Sequence, residues 1–178
     1  DPLFKANELS TLGIEMTIND ISQTELDVLP DSYRKACFDV AGDISRVANL
    51  RGSFDLAFSR MVFEHVADGQ RAWKNLYELL APGGMFINIE HVASATRWGE
   101  AQFNEDFVDA LFAYHQASGS TQTRQAVADE FYNRPDKAAN ILAPVETQLT
   151  WLREIGYTDV DCFSKHFELC LFGGRKAS

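Results

Sequence analysis

The chain has 178 residues, 46% of them hydrophobic and 24% charged, a composition that builds one domain with a packed core and excludes a disordered polymer. Its formal net charge of -10 repels nucleic acid unless cations are gathered somewhere, and the longest basic cluster is only Arg175-Lys176, so RNA or DNA is a disfavoured partner. No run of 18 apolar residues occurs, and the N-terminal DPLFKANEL lacks a basic segment followed by an apolar one, so neither a membrane span nor a signal peptide is expected.

Strand and helix patterns alternate along the chain, which predicts a parallel sheet covered by helices. Residues 13–19 (GIEMTIN) read as a strand that ends at Asp20-Ile21-Ser22. Residues 36–40 (ACFDV) read as a second, closed by Gly42-Asp43. Residues 53–59 (SFDLAFS) are mostly apolar, as a strand buried on both faces requires. A helix follows over 68–80, with Trp73, Leu76 and Leu80 on one face. It stops at Ala81-Pro82-Gly83-Gly84, where proline cannot continue it. Residues 85–90 (MFINIE) form the next strand, reached by a crossover that is right-handed.

Between 92 and 143 the register changes. Phe103, Phe107, Leu111 and Tyr114 share a helical stripe, and Val127 with Phe131 mark a second helix beyond the turn Ser118-Gly119-Ser120. Asn133 to Asp136 close it. This insertion is read either as a lid over the working edge of the sheet or as a helix pair extending the core. A helix carrying Val145, Leu149, Leu152 and Ile155 then stops at Gly156. Two strands, near 159–163 and 167–173, are joined by Ser164-Lys165-His166 as an antiparallel hairpin.

In an open parallel sheet ligands bind beyond the carboxyl ends of the strands. Asp20 stands at such an end, where a carboxylate can accept from both hydroxyls of a ribose; equally, it can cap the next turn with Ser22. Asp43 could accept from an adenine amine with Ile44 packed on the ring, or serve as a turn aspartate. Ser59, Arg60 and His65 follow the third strand, and Glu90-His91 the fourth, facing the same edge as candidates for substrate contact. The spacing of these Glu-His pairs does not support a metal site. Cys37, Cys162 and Cys170 are odd in number, far apart and without a C-x-x-C pair, so neither zinc nor a disulfide framework is expected. They read as small hydrophobes in a reduced, cytoplasmic protein.

The segments NDIS (19–22), GDI (42–44), FDLAFSRMVFEHVAD (54–68), LYELLAPGGMFINIEH (76–91) and ETQLTWLREIGYTDVDCF (146–163) together resemble the class I S-adenosylmethionine-dependent methyltransferases. The resemblance implies a Rossmann-like, doubly wound, mostly parallel sheet with a C-terminal antiparallel hairpin and a helical insertion, in a single domain over 1–178. It implies S-adenosylmethionine as cofactor, with Asp20 and Ile21 at the ribose and Asp43 and Ile44 at the adenine. Ser59, Arg60 and His65 would line its methionine portion. The insertion and tail also look like the carboxy-S-adenosylmethionine synthase and tRNA wobble-uridine group. The family's G-x-G-x-G loop is absent, so the expectation is a longer natural protein, with residues 4–12 the remnant of its first helix.

Methyl transfer needs a general base only if the acceptor is protonated. His65, His91 and His115 are the candidates, and nothing in the sequence chooses among them. The acidic charge and the aromatic insertion (Phe103, Phe107, Phe112, Tyr114, Phe131, Tyr132) favour a small, partly apolar acceptor. A non-catalytic binding domain of the same fold is the alternative, and a nicotinamide-dependent oxidoreductase a distant third.

Overall fold

The computed structural model describes residues 11–135 and 139–178. Strand β1 (Thr17–Asp20) pairs in parallel with β2 (Arg34–Cys37) as a two-stranded sheet. Between them lies the short helix α1 (Gln23–Asp27), whose N-cap Ser22 accepts from the Glu25 N–H. A 3-10 helix (Ile44–Leu50) leads to β3 (Phe54–Arg60), and a second 3-10 turn (Phe63–His65) to helix α2 (Gly69–Leu79). Then come β4 (Leu80–His91), α3 (Arg97–Ala117), α4 (Arg124–Asn133), α5 (Val145–Ile155), β5 (Tyr157–His166) and β6 (Leu169–Lys176).

The second sheet has the order β3-β4-β6-β5. β3 and β4 run parallel, while β6 lies between β4 and β5 and is antiparallel to both. The result is the expected mixed α/β architecture with a C-terminal antiparallel hairpin.

One face of this sheet carries the core. Phe86 and Phe172 are fully buried and meet Trp73 of α2, together with Leu149 and Leu152 of α5. Trp73 touches Phe63, Phe86, Trp151 and Phe172 at centroid distances of 5.7 to 6.3 Å. Burying each large apolar side chain stabilises the fold by roughly 1.5–3 kcal/mol, so the α2 and α5 stripes fix both helices on this face. On the opposite face Leu56 and Phe58 of β3 are 54% and 40% exposed.

The helices fall where periodicity places them, and the strand boundaries move. The first two strands begin at Thr17 and Arg34 rather than at 13 and 36. β4 starts at Leu80, because a bulge opposite Phe54–Leu56 absorbs Pro82-Gly83-Gly84 into the strand. The hairpin turns at Phe167-Glu168, not at Ser164-Lys165-His166; bulges in β5 shift the register and carry it to His166. Such extra residues break the period-2 pattern that marks a strand in sequence. Phe103 and Phe131 are buried as expected, but Tyr114 is 70% exposed at the end of its stripe. Most of the proposed helix remnant at 4–12, and Asp136, lie outside the described residues.

Two glycines are dictated by backbone geometry. Gly156 ends α5 with φ 115°, a conformation open to glycine at little cost. Gly173 in β6 lies so close to β4 that an added Cβ would overlap the Phe86 carbonyl oxygen. Gly173→Ala is therefore expected to lower stability by about 1–3 kcal/mol. Gly69→Ala, which meets nothing within 4 Å, should leave stability unchanged or raise it. Thermal melts of the two variants beside wild type check both; a Gly173→Ala melt equal to wild type would mean that β4 and β6 can separate freely.

Candidate functional site

The carboxyl ends of β3 and β4 meet where Met61 N–H donates to the Ile89 carbonyl at 2.9 Å. That pairing brings the Phe63–His65 turn against Glu90 and His91. The Glu90 carboxylate accepts from the Phe63 N–H at 2.8 Å and, at longer range, from Val62 and His91. The Asn88 amide lies 3.5 Å away.

His91 is held at both ring nitrogens. Nδ1 lies 3.0 Å from Glu64 Oε2, and Nε2 lies 3.0 Å from Glu168 Oε2 in the β5–β6 turn. Phe103 of α3 stacks on the ring at 5.6 Å. Asn140 donates to Glu64 Oε2 at 2.9 Å, and the Ile141 N–H donates to the Glu64 carbonyl at 2.6 Å. The turn after β3, the end of β4, the insertion and the hairpin thus converge on one polar cluster. Glu64, Glu90 and Glu168 are 6%, 1% and 5% exposed.

A cavity of about 280 Å³ opens beside this cluster, between Phe63, Glu64 and Asp68 on one side and Glu90, His91, Gln148 and Trp151 on the other, with Trp73 in its lining. Burial is the main cause that pushes the Glu90 carboxyl above its ordinary value of 4.5, and the nearby Glu64 adds to it.

The other sequence-predicted residues lie apart from this cluster. Asp20 ends β1 and accepts from the Ser22 N–H through Oδ1 at 2.8 Å; among the described residues its Oδ2 has no partner. Ile21 beside it is 70% exposed. Asp43 caps the 3-10 helix, accepting from the Ser45 N–H and hydroxyl, each at 2.9 Å. Those two bonds hold its carboxyl below the usual value. Ile44 is buried at 4% exposure, so its side chain serves the interior. Ser59 and Arg60 close β3. His65 is exposed, with Nε2 3.7 Å from Glu64 Oε1. His115 sits on α3, bonded to Gln122 at 2.8 Å and away from the strand ends.

Of the three candidate histidines, only His91 joins the buried cluster. Sequence reading picked out Glu90-His91 but gave no role to Glu64, Glu168, Asn88 or Asn140. Glu64 had a signal, a second Glu-His pair at a strand end. Glu168 had none, because its role depends on where the hairpin turns. Among the described residues no His, Cys, Asp and Glu side chains are grouped to hold a metal ion, and no helix is long and apolar enough to cross a membrane.

Residues 4–88, just under half of the chain, match the family described as methyltransferase domain. No curated protein matches the sequence. Among solved structures, the chain is similar to the S-adenosylmethionine-dependent methyltransferase SibL in its apo form (13% identity, TM-score 0.60, 97% of this chain and 47% of SibL). It is similar to the CurJ carbon methyltransferase (19%, 0.59, 99% and 44%). It also matches a possible histamine N-methyltransferase of Thermotoga maritima (15%, 0.56, 94% and 75%). At these identities the structures establish the fold, which is that of the S-adenosylmethionine-dependent methyltransferases. The chain spans less than half the length of SibL and of CurJ. S-adenosylmethionine is the cofactor to which the family match and this fold point.

The Glu90 environment has a pH consequence. A carboxyl whose folded value is raised keeps its proton where the unfolded chain has lost it. Stability is then full below the unfolded value and falls as pH rises through the folded one. Glu90→Gln stays neutral throughout and keeps an acceptor for the Phe63 N–H. Wild type should lose thermal stability relative to Glu90→Gln as pH rises above the ordinary carboxyl value of 4.5. Melting curves at several pH values check this; a constant difference would mean that Glu90 titrates as an exposed carboxylate.

Proposed function

We propose that this chain is the S-adenosylmethionine-binding domain of a class I methyltransferase, a single domain that acts on a small-molecule acceptor. The observation that carries the reading is the methyltransferase-domain match over 4–88, which takes in Asp20, Asp43 and Ser59. Asp20 fits the ribose role on its own geometry: one carboxylate oxygen is used locally, and the other is left for hydroxyl donors. The exposed Ile21 beside it offers an apolar surface. Asp43 would face the adenine amine only while keeping its bonds to Ser45, and Ser59, Arg60 and His65 would flank the methionine end. When bound, the cofactor supplies an electrophilic methyl group, and the protein supplies position and exclusion of water.

A small acceptor accords with the net charge of -10, which disfavours the tRNA substrate of the wobble-uridine group. The free cysteines, one of them exposed, accord with a reducing, cytoplasmic setting.

Calorimetric titration with S-adenosylhomocysteine tests the reading. Binding is expected in the micromolar range, about -8 kcal/mol. Asp20→Asn preserves the acceptor for the Ser22 N–H and removes the charge, and should weaken binding about tenfold or more. No binding to the wild-type protein would move a non-catalytic role of this fold to first place.

A further inference from the structure

Among the described residues, three that are not glycine hold a positive φ: Met61 at 53°, Asp159 at 50° and Phe167 at 49°. Residues with a Cβ rarely adopt this left-handed conformation, and bulky ones least readily. Two of the three follow from the hairpin. Asp159 lies in the β5 irregularity between Thr158 and Asp161, and Phe167 lies in the turn to β6. Met61 instead follows the carboxyl end of β3, a strand paired in parallel with β4 and with no hairpin to close.

The left-handed step brings three successive N–H groups onto the end of β4. Met61 N–H donates to the Ile89 carbonyl at 2.9 Å. The Val62 and Phe63 N–H groups both donate to Glu90 Oε2, at 3.4 and 2.8 Å. Glu90 is 1% exposed, so its carboxyl is a fixed post for the turn. Phe63 then enters the core, while Met61 and Val62 stay outside at 39% and 46% exposure. Strain of this kind persists only where the surroundings enforce it, and it gathers at functional sites. Met61 gains little packing in return, and glycine would take the same φ without the steric penalty. What the turn does achieve is to fix two apolar side chains just beyond Ser59 and Arg60, at the strand end where α/β sheets bind their ligands.

We infer that the strained Met61 turn is a recognition element: Met61 and Val62 form an apolar contact for the aliphatic arm of the cofactor's methionine portion, and Glu90 is the positioning residue that holds them there. This role rests on the methyltransferase reading. It supplies what Ser59, Arg60 and His65 lack, since polar side chains alone leave the methylene groups of such an arm unmatched.

Melting temperature and calorimetric affinity for S-adenosylhomocysteine are measured on the same preparations of the whole chain. Met61→Gly relieves the left-handed strain and removes the thioether side chain. It should melt no lower than wild type and bind about tenfold more weakly. A residue serving only the fold would lower melt and affinity together. Glu90→Leu leaves two N–H groups without their acceptor and should weaken binding more than Glu90→Gln, which keeps one. If Glu90→Leu does not fold, Met61→Gly still decides. Wild-type affinity in Met61→Gly, or a loss of affinity matched by a lower melt, overturns the inference and leaves the methyltransferase reading standing. Equal binding by the two Glu90 variants overturns the role of Glu90. No binding to wild type sinks the methyltransferase reading, and this contact with it.

Discussion

The imidazole of His91, clasped between Glu64 and Glu168, is the contact on which the working end of the molecule depends. Its partners lie 27 and 77 residues away in sequence, so one ring joins a turn, a strand end and a hairpin that share no local structure. Burying charge is expensive, and such a cluster is stable only when each member is matched. That cost is also a source of specificity. A hairpin turning one residue earlier or later, or a β3 end displaced from β4, would leave a buried charge without a counter-charge. The polar cluster therefore favours one arrangement of these chain segments, in addition to the apolar core beneath it.

The sheet prepares this arrangement before any charge is considered. Parallel pairing of β3 with β4 sets Ser59 beside Asn88 and Arg60 beside Ile89, and the next hydrogen bond, from Met61 to Ile89, turns the chain inward. The Phe63 N–H then meets Glu90 because alternation along β4 sends Phe86, Asn88 and Glu90 to the same buried face. One strand thus carries an aromatic for the core, an amide at its edge and a carboxylate at the cavity. The gradient from apolar to polar runs along the strand toward its carboxyl end, where α/β sheets place their ligands.

Helices were the most legible part of the sequence. The stripe Val145, Leu149, Leu152 and Ile155 and the Trp73 face each place a helix within a residue or two, because a 3.6-residue period over three turns has few competing explanations. Strand limits were less legible, since Pro82-Gly83-Gly84 reads as a turn and is in fact taken up in a bulge of β4. The hairpin turn moved for the same reason. Asp20 and Asp43 were legible as polar residues at strand ends; Asp20 accepts from the Ser22 N–H in the turn after β1, and Asp43 caps the 3-10 helix. His91 was legible as a candidate, but its surroundings were not: Glu168 reaches its ring, and Asn140 reaches Glu64 beside it, through tertiary contacts that no spacing along the chain encodes. Ile44 shows the converse, an apolar residue next to a candidate carboxylate that is drawn into the interior.

The acidity that first counted against nucleic acid takes on a more specific meaning in the fold. A net charge of -10 spread over a surface chiefly repels polyanions and is screened within about 10 Å at ordinary salt. Carboxylates gathered in a partly closed, aromatic-walled space are screened far less, and low-dielectric walls focus their field into the opening. Asp20, at the end of β1, stands apart from that cluster and its cavity. The residue proposed for the cofactor's ribose and the buried cluster thus rest on separate groups of side chains, free to change independently on one scaffold.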